Sequence, residues 1–251
     1  VPILTKDHEY TLVSRNLYFF GIGESLLESR LKELMVSSLN PTVAPYAKTG
    51  EVMLRVTAKV RDPKEADTVM APAMEKIREA AGAYLYGIDV GNLQTAAVRL
   101  LKEKGLHVAM AESCTGGLVS KRITEVSGAS EVFECGICTY SNRMKQQFLH
   151  VKEKTLQEFG AVSAETAAEM AEGIRAVSGA DIGVSVTGNA GPGASEGKPV
   201  GMVFVGVSSK NYTSVISLNI RRTDEDAREY IRYIASSQAI YQIIEAAKRA
   251  D

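Results

Sequence analysis

The sequence predicts an α/β protein: a small α+β domain followed by a layered α/β domain, within 251 residues. Three observations carry that reading. Apolar residues recur at period two in some stretches and at helical spacing in those between. Several strand-like runs empty into turns rich in glycine and hydroxyl residues, where α/β sheets bind their ligands. The chain also exceeds one typical domain, and 45% hydrophobic residues suffice for more than one core.

Residues 1–13 are of mixed polarity and read as a tail or linker. Ser14 to Phe20 reads as a strand that enters Gly21-Ile22-Gly23-Glu24-Ser25 and then a helix with Leu27, Leu31, Leu34 and Met35 on one face. Asn40 to Gly50, with two prolines, reads as a loop. Val52, Leu54, Val56 and Ala58 alternate as in a half-buried strand. Asp62-Pro63 then opens a helix whose inner face is Ala66, Val69, Met70, Ala73 and Ile77. Two helices on one sheet make residues 14–90 a small α+β domain, with the boundary between Ala80 and Gly91.

The second domain, 91–251, opens with a helix carrying Leu93, Ala96, Ala97, Leu100 and Leu101 and ended by Gly105. The apolar run Leu106 to Ala111 is a buried strand, turning at Ser113 into a helix that reaches about Val126. Val132 to Tyr140 is the next strand, with a short helix from about Asn142. A longer helix spans 163–178, and Ile182 to Thr187 is a buried strand that empties into Gly188-Asn189-Ala190-Gly191-Pro192-Gly193. Val200 to Ser208 reads as a central strand, Thr213 to Ile220 as an edge or antiparallel strand, and Asp224 to Lys248 as the closing helix. Three loops then fall at strand C-termini: 111–117, 139–145 and 187–193.

The net charge is -1, with 24% charged residues of both signs interspersed. That argues against nucleic acid and anionic membrane as partners. No apolar run reaches bilayer length and no signal-like start is present. Cys114, Cys135 and Cys138 are too few and too unevenly placed for a disulfide framework, which fits a cytoplasmic location. The chain begins at Val1, which suggests a fragment or a processed product.

The 111–117 turn gathers Ser113, Cys114 and Thr115 where backbone N–H groups and a helix dipole converge. Ser113 can act as a nucleophile whose oxyanion is held by the N–H groups of Thr115 and Gly116, each such donor being worth about 3 kcal/mol in a transition state. Alternatively, Ser113 or Thr115 caps the helix, a role worth about 1 kcal/mol. None of His8, His107 and His150 sits in a candidate loop, so a Ser–His–Asp triad is disfavoured. Lys145 is the other base. With Ser141-Asn142 as the N-cap it lies in the first helical turn, where the dipole and Arg143 both disfavour an ammonium. A solvated surface lysine is the competing explanation. Tyr140 can orient that base or relay a proton, or be an ordinary strand-end aromatic. The Thr187–Gly193 loop can bind phosphate or other polar groups through backbone N–H donors such as those of Gly188 and Gly191. Cys135 and Cys138 face opposite sides of a strand, which spoils metal or disulfide geometry. Cys114 is an alternative nucleophile, if the turn lowers its pKa.

Taken together, A-E-S-C-T-G-G (111–117), T-Y-S-N-x-x-K (139–145), G-A-V-S (160–163), T-G-x-A-G-P (187–192) and K-P-V-G (198–201) resemble the C-terminal, nicotinamide-nucleotide amidohydrolase domain of the competence/damage-inducible CinA family. Residues 14–90, with F-G-I-G-E-S and N-P-T-V-A-P-Y-A-K, resemble its small KH-type middle domain. The resemblance implies deamidation of nicotinamide mononucleotide to nicotinic acid mononucleotide and ammonia, without metal or cofactor. It makes Ser113 the nucleophile, Lys145 the general base, Tyr140 its helper, and Thr187 a hydroxyl beside the reacting amide. It further implies a homodimer and a missing N-terminal molybdopterin-binding-like domain. Two departures stand out. Asn189 replaces a usual aliphatic residue, and Arg222-Thr223-Asp224 stands where the family has G-D-R. Arg221, Arg222 and Arg228 are the candidate replacements, Arg228 matching a second family arginine. The alternative to an amidohydrolase is a catalytically weak or inactive nucleotide-binding or assembly module. A nucleic-acid module is disfavoured, because a KH clamp needs G-x-x-G and only Gly21-Ile22-Gly23 is present.

Overall fold

The computed structural model describes residues 9–250. The chain divides after Asn92 into two compact units. His8 and most of the expected N-terminal tail lie outside the described residues.

In the first unit, β1 (Thr11–Phe20) begins inside the stretch expected to be a tail, because Thr11 to Val13 pair with Ala58 to Val60. It is followed by α1 (Glu24–Ser37), β2 (Thr42–Lys48), β3 (Glu51–Val60), α2 (Ala66–Ala81) and β4 (Leu85–Ile88). The sheet order is β2-β3-β1-β4, with every pairing antiparallel. Two strands escaped the sequence reading. The prolines of 40–50 suggested a loop, yet β2 lies at the sheet edge, where Pro45 opposes Leu54 and its missing N–H is tolerated. The four-residue β4 falls within the stretch expected to be only a boundary. Leu17, Phe19, Leu27, Leu54, Met70 and Ile77 form the core between the sheet and the two helices.

The second unit contains α3 (Leu93–Lys104), β5 (Val108–Glu112), α4 (Leu118–Thr124), β6 (Phe133–Cys138), α5 (Asn142–Leu149), α6 (Glu153–Phe159), α7 (Ala164–Ser178), β7 (Ile182–Gly188), β8 (Met202–Ser208), β9 (Thr213–Asn219) and α8 (Ala227–Arg249). The five strands are ordered β6-β5-β7-β8-β9. β5 is parallel to both β6 and β7, whereas β8 and β9 are added antiparallel. Every residue of β5 is buried, as expected of a central parallel strand covered on both faces. On one face lie α3, α4 and α8, and on the other α5, α6 and α7. α7 sits close against the sheet because glycines leave room for its backbone. A Cβ on Gly183 would come within 2.2 Å of the Ala171 carbonyl oxygen, and one on Gly206 within 2.4 Å of that of Ala167. Beside them, Ser185 Oγ donates to the same Ala167 carbonyl at 2.6 Å. Among the described residues no helix is long and apolar enough to cross a membrane.

Candidate active site

The C-terminal ends of β5, β6 and β7 open on one edge of the sheet, and a cleft of about 330 Å³ lies there. Ser113, Cys114, Tyr140, Lys145, Thr187 and Arg228 line it, together with the loop after β7. Sequence distance closes into space as the parallel α/β architecture requires.

The turn after β5 is built differently from the expected helix junction. α4 begins only at Leu118, and its N-cap is Gly117 in the left-handed region (φ 92°), which has no side chain of its own to cap the helix. The free amides are taken instead by the buried carboxylate of Glu112. Its oxygens accept from the N–H groups of Gly117 (3.0 Å), Val119 (3.0 Å) and Ser120 (2.8 Å) and from Ser120 Oγ (2.7 Å). A carboxylate at a helix N-terminus is favourable on both hydrogen-bonding and dipole grounds. Neither Ser113 nor Thr115 is therefore the helix cap. Ser113 is left with its amide on the Val186 carbonyl (2.9 Å) and its hydroxyl facing the cleft.

The two amides expected to hold an oxyanion differ in availability. Gly116 donates its N–H to the Ser113 carbonyl at 3.0 Å and is committed to the turn. The Thr115 N–H donates to nothing among the described residues. Thr115's side chain is fully buried and away from the cleft lining, its hydroxyl unpartnered among those residues, as is that of Thr139. Cys114 is no activated thiol: burial pushes its pKa up to about 12, which removes it as an alternative nucleophile.

Lys145 is buried at 1% exposure, far from a solvated surface lysine. Ser141 caps α5, with its Oγ accepting from the Met144 N–H, and so sets Lys145 in the first turn. The side chain runs inward to three oxygens: Ser113 Oγ at 3.1 Å, the Thr139 carbonyl at 2.8 Å and the Tyr140 carbonyl at 3.2 Å. Its pKa falls from 10.5 to about 8, chiefly through burial and against the opposing pull of Cys114 and Glu196. Desolvation thus does what the sequence argument assigned to the helix dipole and Arg143. In the neutral amine, two N–H bonds to the carbonyls of Thr139 and Tyr140 would aim the remaining lone pair at Ser113.

Tyr140 reaches Lys145 through its backbone carbonyl. Its ring is exposed, and its hydroxyl lies 3.5 Å from Arg228 Nη2. Thr187 Oγ1 donates to the Ala161 carbonyl at 2.7 Å, which leaves its lone pairs as acceptors toward the cleft. Gly188 belongs to β7, and a Cβ there would collide with Val203 and with the Met202 carbonyl. The Gly191 N–H is not a free donor, because Asn189 Oδ1 accepts it at 2.9 Å. Asn189 Nδ2 also donates to the carbonyls of Gly193 (3.0 Å) and Lys198 (3.1 Å), so this departure from the family pattern ties the loop to itself. The two arginines separate. Arg222 is held by Asp224 at 2.7 Å and stacks on Tyr230, and it does not line the cleft. Arg228 does, with Nη1 donating to the Gly191 carbonyl at 2.5 Å.

Three participants escaped the sequence reading. Glu112 could have been suspected, since an acid ending an otherwise apolar strand needs partners. Arg232 sits one helical turn from Arg228 and donates to the carbonyls of Cys114 (3.1 Å) and Thr115 (2.8 Å), bracing the nucleophile turn. Glu196 lines the cleft from the loop with φ 51°, and nothing in the local sequence announces it.

Family models match both parts of the chain. The CinA C-terminal domain covers residues 91–247, and the damage-inducible protein CinA KH domain covers residues 14–87. A CinA-like protein from Kosmotoga olearia is 47% identical over 221 residues, 88% of this chain and 54% of that protein. The chain thus spans about half the length of the curated relatives it matches. Among solved structures, the competence/damage-inducible protein CihA from Agrobacterium tumefaciens is 37% identical, with a TM-score of 0.58 over 62% of this chain and 94% of that one. Competence damage-inducible protein A from Klebsiella pneumoniae is 30% identical, with a TM-score of 0.59 over 64% of this chain and 100% of that one.

Proposed function

The chain belongs to the CinA family, and from that premise we propose that it is an amidohydrolase that deamidates nicotinamide mononucleotide through a serine–lysine pair. One observation carries the reading: a buried lysine with a lowered pKa lies 3.1 Å from a serine that caps no helix. Neutral Lys145 takes the Ser113 proton as Oγ attacks the carboxamide carbon. Of the two amides expected to hold the tetrahedral oxyanion, the Thr115 N–H is the uncommitted one, although Thr115 is not among the residues that line the cleft. Lys145 returns the proton to the departing nitrogen, ammonia leaves, and an ester on Ser113 remains. Water then attacks that ester with Lys145 again as base, giving nicotinic acid mononucleotide and free Ser113. Thr187 is the acceptor for an N–H of the amide, and Arg228 the partner for the substrate's phosphate. Tyr140 serves through the carbonyl that orients Lys145.

The purified protein should release ammonia from nicotinamide mononucleotide, and Ser113→Ala or Lys145→Ala should abolish the release. Undiminished turnover in both variants would refute the mechanism.

A second reading, a non-catalytic nucleotide-binding or assembly module, draws on the engagement of Arg222 with Asp224. Stabilisation by the nucleotide with no ammonia released over hours would favour it. A homodimer, a cytoplasmic location and a molybdopterin-binding-like partner domain remain part of the proposal by family resemblance.

A further inference from the structure

The charged residues lining the cleft are Lys145, Glu196 and Arg228, and the amide chemistry uses only the first and last. Glu196 is held there at some expense. Its φ of 51° lies in the left-handed region that side-chain-bearing residues seldom occupy. One oxygen, Oε2, accepts the Val162 N–H at 3.1 Å from a residue 34 positions earlier. The other has no partner among the described residues. Before substrate binds, this carboxylate works against catalysis, since it favours the ammonium form of Lys145. A carboxylate opposing the base makes physical sense if substrate brings a positive charge to offset it.

We infer that Glu196 is the counter-ion of a cationic aromatic ring in the substrate, so that the site selects quaternised pyridinium carboxamides over neutral aromatic amides. The inference rests on the amidohydrolase reading and narrows its substrate class. Nicotinamide mononucleotide carries a formal positive charge on its ring nitrogen and an anionic phosphate, matching one acidic and one basic lining residue. A cation docked beside Glu196 also cancels its pull on Lys145. The base then loses its proton more readily once substrate is bound.

The test compares wild type with Glu196→Gln, which keeps an acceptor for the Val162 N–H and removes the charge. Two ligands are used: nicotinamide mononucleotide, and benzamide riboside 5′-phosphate, a neutral isostere titrated as a competitive ligand. The variant should weaken nicotinamide mononucleotide by about two- to fivefold, as expected for an exposed ion pair, and leave the neutral ligand unchanged. The acid limb of kcat/KM should also move to lower pH, because the carboxylate that favours the Lys145 ammonium is gone. Cys114, Tyr140 and Arg228 also face the base and are unchanged in the variant. An equal loss for the two ligands, or an acid limb that stays in place, overturns the assignment and leaves the amidohydrolase reading standing. A wild-type protein that neither binds nor turns over nicotinamide mononucleotide overturns both.

Discussion

Lys145 Nζ lies 3.1 Å from Ser113 Oγ, and the rest of its hydrogen-bonding capacity is spent on two backbone carbonyls. The amine therefore has one useful direction. Its lowered pKa makes the neutral form accessible near neutral pH. In the proposed reaction, kcat/KM should climb with unit slope below pH about 8 and flatten above it. Lys145→Arg should be as inactive as Lys145→Ala, because guanidinium does not deprotonate in this range. A flat profile from pH 6 to pH 9 would remove Lys145 as the base.

The same group makes a stability prediction of definite sign. Its folded pKa of about 8 is below the ordinary 10.5, so between those values the folded chain holds fewer protons than the unfolded one. Stability then rises with pH across that window, and below it the buried ammonium costs about 3 kcal/mol. Lys145→Met lacks this term. Its stability relative to wild type should fall by about 3 kcal/mol between pH 7.5 and pH 10.5 in urea unfolding. A pH-independent difference would show that Lys145 does not titrate low.

Ser113 and Glu112 should differ in what their loss costs. Ser113→Ala removes no cap but does remove the hydrogen bond to Lys145, and should cost about 0.5–1.5 kcal/mol of stability while abolishing turnover. Glu112→Gln turns an amide nitrogen on donors that need acceptors, and should cost about 1–3 kcal/mol of stability. Chemical denaturation of the two variants reads this directly. A loss in Ser113→Ala larger than that in Glu112→Gln would restore the capping role to the serine.

Arg228 and Arg222 should also part company. Arg228→Ala should raise KM for nicotinamide mononucleotide by about tenfold, as expected for a lost charge-assisted bond to phosphate. Arg222→Ala should leave KM within about twofold, since its guanidinium is occupied by Asp224 outside the cleft. Steady-state kinetics of both variants decide the matter, and the reverse ranking would return Arg222 to the site.

Asn189 is the remaining departure from the family pattern. Asn189→Leu forfeits three side-chain hydrogen bonds within the loop and should destabilise the protein by about 1–3 kcal/mol. Thermal unfolding measures it. An unchanged midpoint would mean the loop holds its shape without those bonds.

Much of the fold was legible because its signals are local. The run before Ser113 and the helix from Ser163 follow from periodicity and a cap, and both lie where expected. β2 was missed because an edge strand tolerates the prolines that suggest a loop. The short α6 left too brief a pattern to read. The meeting of Ser113 with Lys145 could be anticipated from residue type and position at strand ends. The cause of the lysine's shift could not, because burial is a property of the assembled layers. Nor could the use of the α4 amides be read. They are claimed by Glu112, to which the sequence, placing it in the turn after Ala111, assigned no role.

The antiparallel pairing of β7 with β8 has one more consequence. Parallel neighbours need a long return path, whereas antiparallel ones can be joined by about two residues. Residues 189–201 greatly exceed that need, and they bring Asn189, Gly191 and Glu196 into the lining of the cleft. Strand connectivity does not dictate their length. This loop can be shortened, extended or recharged while Ser113 and Lys145, held by β5 and α5, stay in place, so substrate choice and bond-breaking chemistry are free to change separately.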